Sequence, residues 1–171
     1  MTVNYYKATR PDGTDFRTGM IDYGAALISG AIIRHPVPQR VRNEPETYLS
    51  VSVSPADCTG FSWPCRLFRV EPVGRIMSRL NASSNKRAVS ALRVVEELPA
   101  WQALGPNGEA VAALIERAKS LTLSELDGLA ARDAAWDAAW DAAGALVVRD
   151  LISAKTFAVL TAPWREAGLP L

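Results

Sequence analysis

The sequence predicts an α+β protein: a twisted, mainly antiparallel β domain over residues 1–98, then an α-helical region over 99–171. Three observations carry this. Tyr48–Val53 and Arg66–Glu71 alternate with period two, as half-buried strands do. Proline, glycine and asparagine punctuate the first part with turn chemistry. From Glu109 onward helix formers dominate, and Val111, Leu114, Ile115 and Ala118 take helical spacing.

Taken in order, Val3–Thr9 is rich in β-branched and aromatic residues and reads as a first strand. Arg10-Pro11-Asp12-Gly13-Thr14 is a turn, and Asp15–Thr18 is expected to return as the partner strand of a hairpin. Ile21–Ile28 fits either a short helix or a buried strand, because apolar runs of this length suit both. Gly30 interrupts it, and Ala31–Arg34 reads as a strand. His35-Pro36-Val37-Pro38 leaves regular structure, since each proline removes a donor and restricts the residue before it. Gln39–Glu46 is expected as an exposed loop.

Ser54-Pro55-Ala56-Asp57 then predicts a short helix between the two alternating strands. Ser54 suits the N-cap, Pro55 the first helical position, and Asp57 the orphan amides. Leu67 is borderline between the two faces of its strand. Asn81–Arg87 reads as a polar loop near the edge of the β-rich part, and Ala88–Glu96 fits either strand or helix. Pro99 and Gly105-Pro106-Asn107-Gly108 are breakers.

Thr122 and Glu125 have capping-box spacing, opening a helix expected to run from Glu125 to Val147. Inside it the unit Asp-Ala-Ala-Trp repeats. A four-residue period advances about 400° against 360° per turn, so Trp136 and Trp140 are neighbours on one face. Asp133, Asp137 and Asp141 form a like-charged ladder, each step mildly unfavourable. The reading is an exposed aspartate stripe, a solvated face rather than a polyanion mimic, with the tryptophans more buried than the aspartates. Trp136, Trp140 and Trp164 suit core or partner-interface anchoring better than a ligand cage. Ser153 is expected to cap a last short helix, Ala154–Leu160, ended by Pro163 and anchored by Trp164.

Composition bounds the function. Among 171 residues the net charge is +1, which leaves no electrostatic footprint for nucleic acid or an anionic membrane. No apolar run approaches the ~20 residues that span a bilayer. The N-terminus lacks the basic-then-apolar build of a signal peptide, so a cytoplasmic protein is expected. Cys58 and Cys65 are the two cysteines and His35 the one histidine. They supply no recognised zinc spacing, so free thiols and no metal are expected. Gly13, Gly19, Gly24 and Gly30 form no nucleotide-binding fingerprint.

Three short motifs add a resemblance. Tyr5-Tyr6-Lys7-Ala8-Thr9, then Tyr48-Leu49-Ser50-Val51-Ser52, then Leu67-Phe68-Arg69-Val70-Glu71-Pro72-Val73-Gly74 resemble, in order, the small bacterial ADP-ribosyltransferases that inactivate rifamycins. The same block is similar to an uncharacterised domain of phage and bacterial proteins. The Asp-Ala-Ala-Trp segment looks like repeats common in actinobacterial and actinophage proteins. Carried over residue by residue, the family's NAD-binding histidine falls on Lys7 and its tyrosine on Tyr48, while Glu71 lies in the shared third segment. The resemblance therefore implies Lys7 and Tyr48 as NAD contacts and Tyr48 and Glu71 as catalytic residues. Two functions stay open. One is a phage-type accessory protein that binds a host protein in the host cytoplasm, with neither catalysis nor cofactor. The other is an NAD-dependent ADP-ribosyltransferase that modifies a host target.

Overall fold

A computed structural model of the protein describes residues 3–35, 48–58, 63–74, 76–79, 85–120, 132–166 and 171. The chain divides into two compact units, Met1–Ala103 and Leu104–Leu171. The first holds the strands and the second the longer helices, as the α+β class requires.

The first unit is a seven-stranded antiparallel sheet. Its strands are β1 (Tyr5–Thr9), β2 (Ile32–Arg34), β3 (Leu49–Ser52), β4 (Arg66–Pro72), β5 (Ile76–Arg79), β6 (Lys86–Val89) and β7 (Ala91–Leu98). They lie in the order β2-β7-β4-β1-β3-β6-β5. The first strand made is thus the middle strand of the sheet. β1 is paired to β4 through Tyr5↔Val70 to Thr9↔Arg66, and to β3 through Tyr6↔Ser52. The two alternating segments of the sequence are accordingly strands of one sheet, on either side of β1. The strand reading of 88–96 holds, and Lys86 and Arg87, expected in a loop, belong to β6.

Alternation sorts side chains into two cores. One face buries Tyr5, Leu49, Val51, Phe68, Val70, Val89, Leu92 and Val94 beneath Tyr23 and Ala26 of helix α1 (Tyr23–Ser29). The other buries Ala8, Cys58, Cys65, Leu67 and Ala103. Leu67 and Phe68 are both fully buried, so β4 is covered on both sides.

The expected hairpin after β1 does not form. Asp15 accepts the backbone N–H of Thr18 at 2.7 Å and of Ile21 at 3.0 Å, which folds the segment into a closed loop. A short polar side chain has outcompeted a ladder for backbone donors. An isolated bridge, Thr14↔Asp22, closes the base of this loop, and β1 pairs with β3 and β4 instead. Asp22 then caps α1 by accepting the Ala25 N–H at 2.8 Å, and Gly30 ends it at φ 68°. That settles the ambiguous 21–28 run as helix.

The turn between β3 and β4 is a 3-10 helix at Pro55–Asp57, but Ser54 makes no side-chain cap bond to it. The tie comes from Ser52 instead, whose buried hydroxyl donates to the Asp57 carbonyl at 2.9 Å. Gln39–Glu46 and the capping box at Thr122 and Glu125 lie outside the described residues.

One arginine crosses the first unit. Arg66 Nε and Nη2 donate to the two carboxylate oxygens of Glu97 at 2.8 and 2.7 Å, and its guanidinium lies over the Phe68 ring at 5.0 Å. Its Nη1 approaches the turn and α1 so closely that a Cβ would lie 2.7 Å away at Gly13 and 2.6 Å away at Gly24. Gly13 also has φ +90°, so no other residue fits there without strain.

The second unit packs α2 (Gly108–Lys119), α3 (Arg132–Val147) and α4 (Ala154–Glu166) around Val111, Leu114, Ala139, Ala142, Ala143, Leu146 and Trp164. Ser153 caps α4 as expected, its hydroxyl accepting the Thr156 N–H at 3.1 Å. The helix runs through Pro163 to Glu166 rather than stopping there. Fully buried Trp164, one residue beyond the proline, holds that last turn against the core. No helix among the described residues is long and apolar enough to cross a membrane.

These contacts rank three substitutions. Asp22→Ala and Ser52→Ala should each cost about 1 kcal/mol, whereas Ser54→Ala should stay within about 0.5 kcal/mol of wild type. Urea midpoints read the order directly. A Ser54→Ala loss matching that of Asp22→Ala would contradict it.

Candidate functional site

Lys7 sits on β1 opposite Phe68, and its Nζ lies 5.5 Å from the centroid of the Tyr23 ring. The side chain is half-buried. Burial and then the positive charge of Lys86 lower its pKa, with Asp15 and Cys58 acting the other way. A lysine tuned in this direction is neutral, and so available as a nucleophile, in a larger fraction of molecules than an exposed one.

Two groups that sequence reasoning did not single out share this face. Asp15 is 6% exposed. Burial pushes its carboxyl up, but the amides of Thr18 and Ile21, the Thr18 hydroxyl and the charge of Lys7 outweigh that and hold it below the ordinary range. Tyr23 is buried at the start of α1, and burial together with the Asp15 charge raises its phenol. The signal available in sequence was an Asp-x-x-Thr spacing at Asp15, which is loop chemistry before it is site chemistry.

The opposite face holds a second polar group. Tyr6 faces Ser52 and Ser52 faces Lys86, so these three share a side that alternation denies to Lys7. Cys58 joins Ser52 there. Burial raises its thiol pKa, against the bonds to Ser52 and Ala8 and the charges of Lys7 and Lys86. Burial and the neighbouring Cys58 push Cys65 up to about 11. Both cysteines are free and buried. Thiols held protonated in this way are not nucleophiles at neutral pH.

The three residues implied by the resemblance are placed apart. Lys7 and Phe68 share a face, so Glu71, three residues along β4, points to the other one. Its side chain is 58% exposed and pairs with Arg69 Nη1 at 3.5 Å. Tyr48 is 7% exposed, at the bend ahead of β3. The Tyr6↔Ser52 pair sets Lys7 level with Val51, which leaves Tyr48 about 10 Å further along the sheet. Lys7 instead meets Tyr23 and the charge of Asp15.

The second unit offers a different surface. On α3, Ala139, Ala142, Ala143 and Leu146 are buried, while Asp137, Trp140, Asp141, Gly144 and Val147 are exposed. Trp140 is 70% and Val147 47% exposed. The expected order, tryptophan in and aspartate out, is thus reversed for Trp140. The side chains of Trp136 and Asp133 lie outside the described residues. Alanines face the neighbouring helices because small side chains at a contact let helix axes approach closely. The bulky ring is left on the far side.

In comparisons with known proteins, no family model, no curated protein and no solved structure matches this chain.

The environment of Lys7 makes a pH prediction. Its folded-state pKa lies below the ordinary 10.5, so the unfolded chain holds the extra proton between the two values. Stability from this group must therefore rise as pH climbs through that window toward 10.5. Lys7→Met should be no less stable than wild type at neutral pH, and the gap should narrow on approaching pH 10.5. Paired urea titrations cancel the opposing contributions of Tyr23 and Cys65, which Lys7 does not perturb directly. A gap that stays constant with pH would contradict this account.

Proposed function

We propose that this chain is a phage-type accessory protein that binds a host protein in the host cytoplasm without catalysis. The observation carrying this reading is the Trp140 face of α3. A helix with apolar residues to spare has buried its alanines and left an indole in solvent, flanked by Val147. Tryptophan is among the residue types that most often dominate binding energy at protein interfaces. The test is affinity capture from host lysate with the full chain, comparing wild type with Trp140→Ser. An exposed indole can be removed without unfolding, which thermal melts verify. A specific host protein should be retained by wild type and its affinity should fall about thirtyfold or more in the variant. The same retained set from both proteins would sink the reading.

One observation favours a second reading, NAD-dependent ADP-ribosyl transfer. Lys7, at the position resembling the family's NAD-binding histidine, is half-buried beside an aromatic ring and within the field of a buried carboxylate, Asp15. In this reading Lys7 and Tyr48 contact NAD, and an acid orients the ribose. Glu71 is the acid that the resemblance supplies, and Asp15 is the one whose charge acts on Lys7. Incubation with labelled NAD and host lysate tests it, with Lys7→Met and Tyr48→Phe as controls. Transfer lost in either variant supports it, and label that never reaches protein rejects it.

A further inference from the structure

The exposed face of α3 also has a shape and a charge. Its described residues, Asp137, Trp140, Asp141, Gly144 and Val147, follow one another at helical spacing over about 15 Å of axis. Gly144 lies one turn beyond Trp140, and a Cβ built there would meet nothing within 4 Å. The face is therefore a ring, then a gap one turn long, then the Val147 side chain. The two aspartates stand before and beside the ring, and both are exposed.

From this geometry we infer that the face docks a basic segment of a partner protein, carrying one bulky aliphatic side chain flanked by Lys or Arg. The aliphatic group fills the gap over Gly144 between Trp140 and Val147, and the flanking cations reach Asp137 and Asp141. This rests on the reading of the chain as a binding protein and names the chemistry of what it binds. Charge selects among occupants. A second copy of the same face would set aspartates against aspartates, and an anionic bilayer would meet the same two negative charges, so both are opposed. A cationic segment is favoured by the same term, with a salt dependence that exposed charges impose.

Two labelled peptides serve as probes, one with leucine between lysine pairs and one with leucine between glutamate pairs. Anisotropy with the full chain should show the lysine peptide bound at least about tenfold more tightly at low salt, with the advantage shrinking as salt rises. The double variant Asp137→Lys/Asp141→Lys should reverse the preference. Gly144→Leu fills the gap and should abolish binding. Leucine is a far better helix former than glycine, so that variant should melt no lower than wild type, which separates lost docking from lost folding. Equal binding of the two peptides, or Gly144→Leu binding as well as wild type, overturns the inference. So does light scattering that shows Trp140-dependent dimers, or anionic vesicles that quench the Trp140 fluorescence. A host protein captured through Trp140 but indifferent to charge reversal leaves the binding reading standing and removes this one. Capture that ignores Trp140 removes both.

Discussion

The first unit depends on where Arg66 can put its guanidinium. The group is paired side-on to Glu97 of the neighbouring strand and laid on the Phe68 ring, and its remaining edge points into the space between Gly13 and Gly24. The pair is part-exposed, 29% for Arg66 and 39% for Glu97, so solvent screening limits its own worth to about 1 kcal/mol at most. Its importance is positional. Four elements (β4, β7, the first turn and α1) meet at one planar group. The two glycines leave room for it: a Cβ at either would come within 2.7 Å of Nη1, and the guanidinium would have to shift. Once α1 is held there, Tyr23 and Ala26 cover the larger core, and the Tyr23 ring becomes the surface over which Lys7 lies.

Much of this architecture was legible from local patterns. Alternation at Leu49–Ser52 and Arg66–Pro72 reported strands, although β4 proves to be covered on both sides, with Leu67 and Phe68 both buried. Helical spacing at Val111, Leu114 and Ile115 reported α2. What failed locally was decided by side chains acting on backbone. Asp15 took the amides a hairpin would have used, and Ser52 held the turn that Ser54 was expected to cap. Pairing partners were not legible at all. Nothing in Tyr5–Thr9 says that its neighbours will be β4 and β3, since any apolar-alternating strand offers the same edge. The division between units is a related case. Ala100 and Ala103 sit on the second core of the sheet, so the chain stays with the first unit beyond the breaker Pro99, up to Ala103.

The surroundings of Lys7 were readable only in part. Its place on a strand follows from the sequence, but its environment is made by Tyr23 and Asp15, which arrive through the loop closure just described. Spacing cannot tell an aspartate that organises a loop from one that faces a site. Here a single carboxylate does the first and, through its charge on Lys7, contributes to the second. The tryptophan repeat shows the converse error. Amphipathic reasoning assigns the largest apolar residue to the core, yet α3 turns Ala139, Ala142, Ala143 and Leu146 inward and leaves Trp140 outside.

The order of strands bears on how the protein is made. β1 precedes the other strands of the sheet along the chain, yet it occupies the middle of the sheet, with partners at Ser52 on one side and at Arg66 to Val70 on the other. It can join neither partner until long stretches of chain have followed it, and each closure carries the entropic cost of a large loop. In the interval an apolar strand with both edges unsatisfied is available to any other strand nearby. The topology therefore makes synthesis rate and chaperone access matter more for this chain than for a protein whose first strand ends up on the rim.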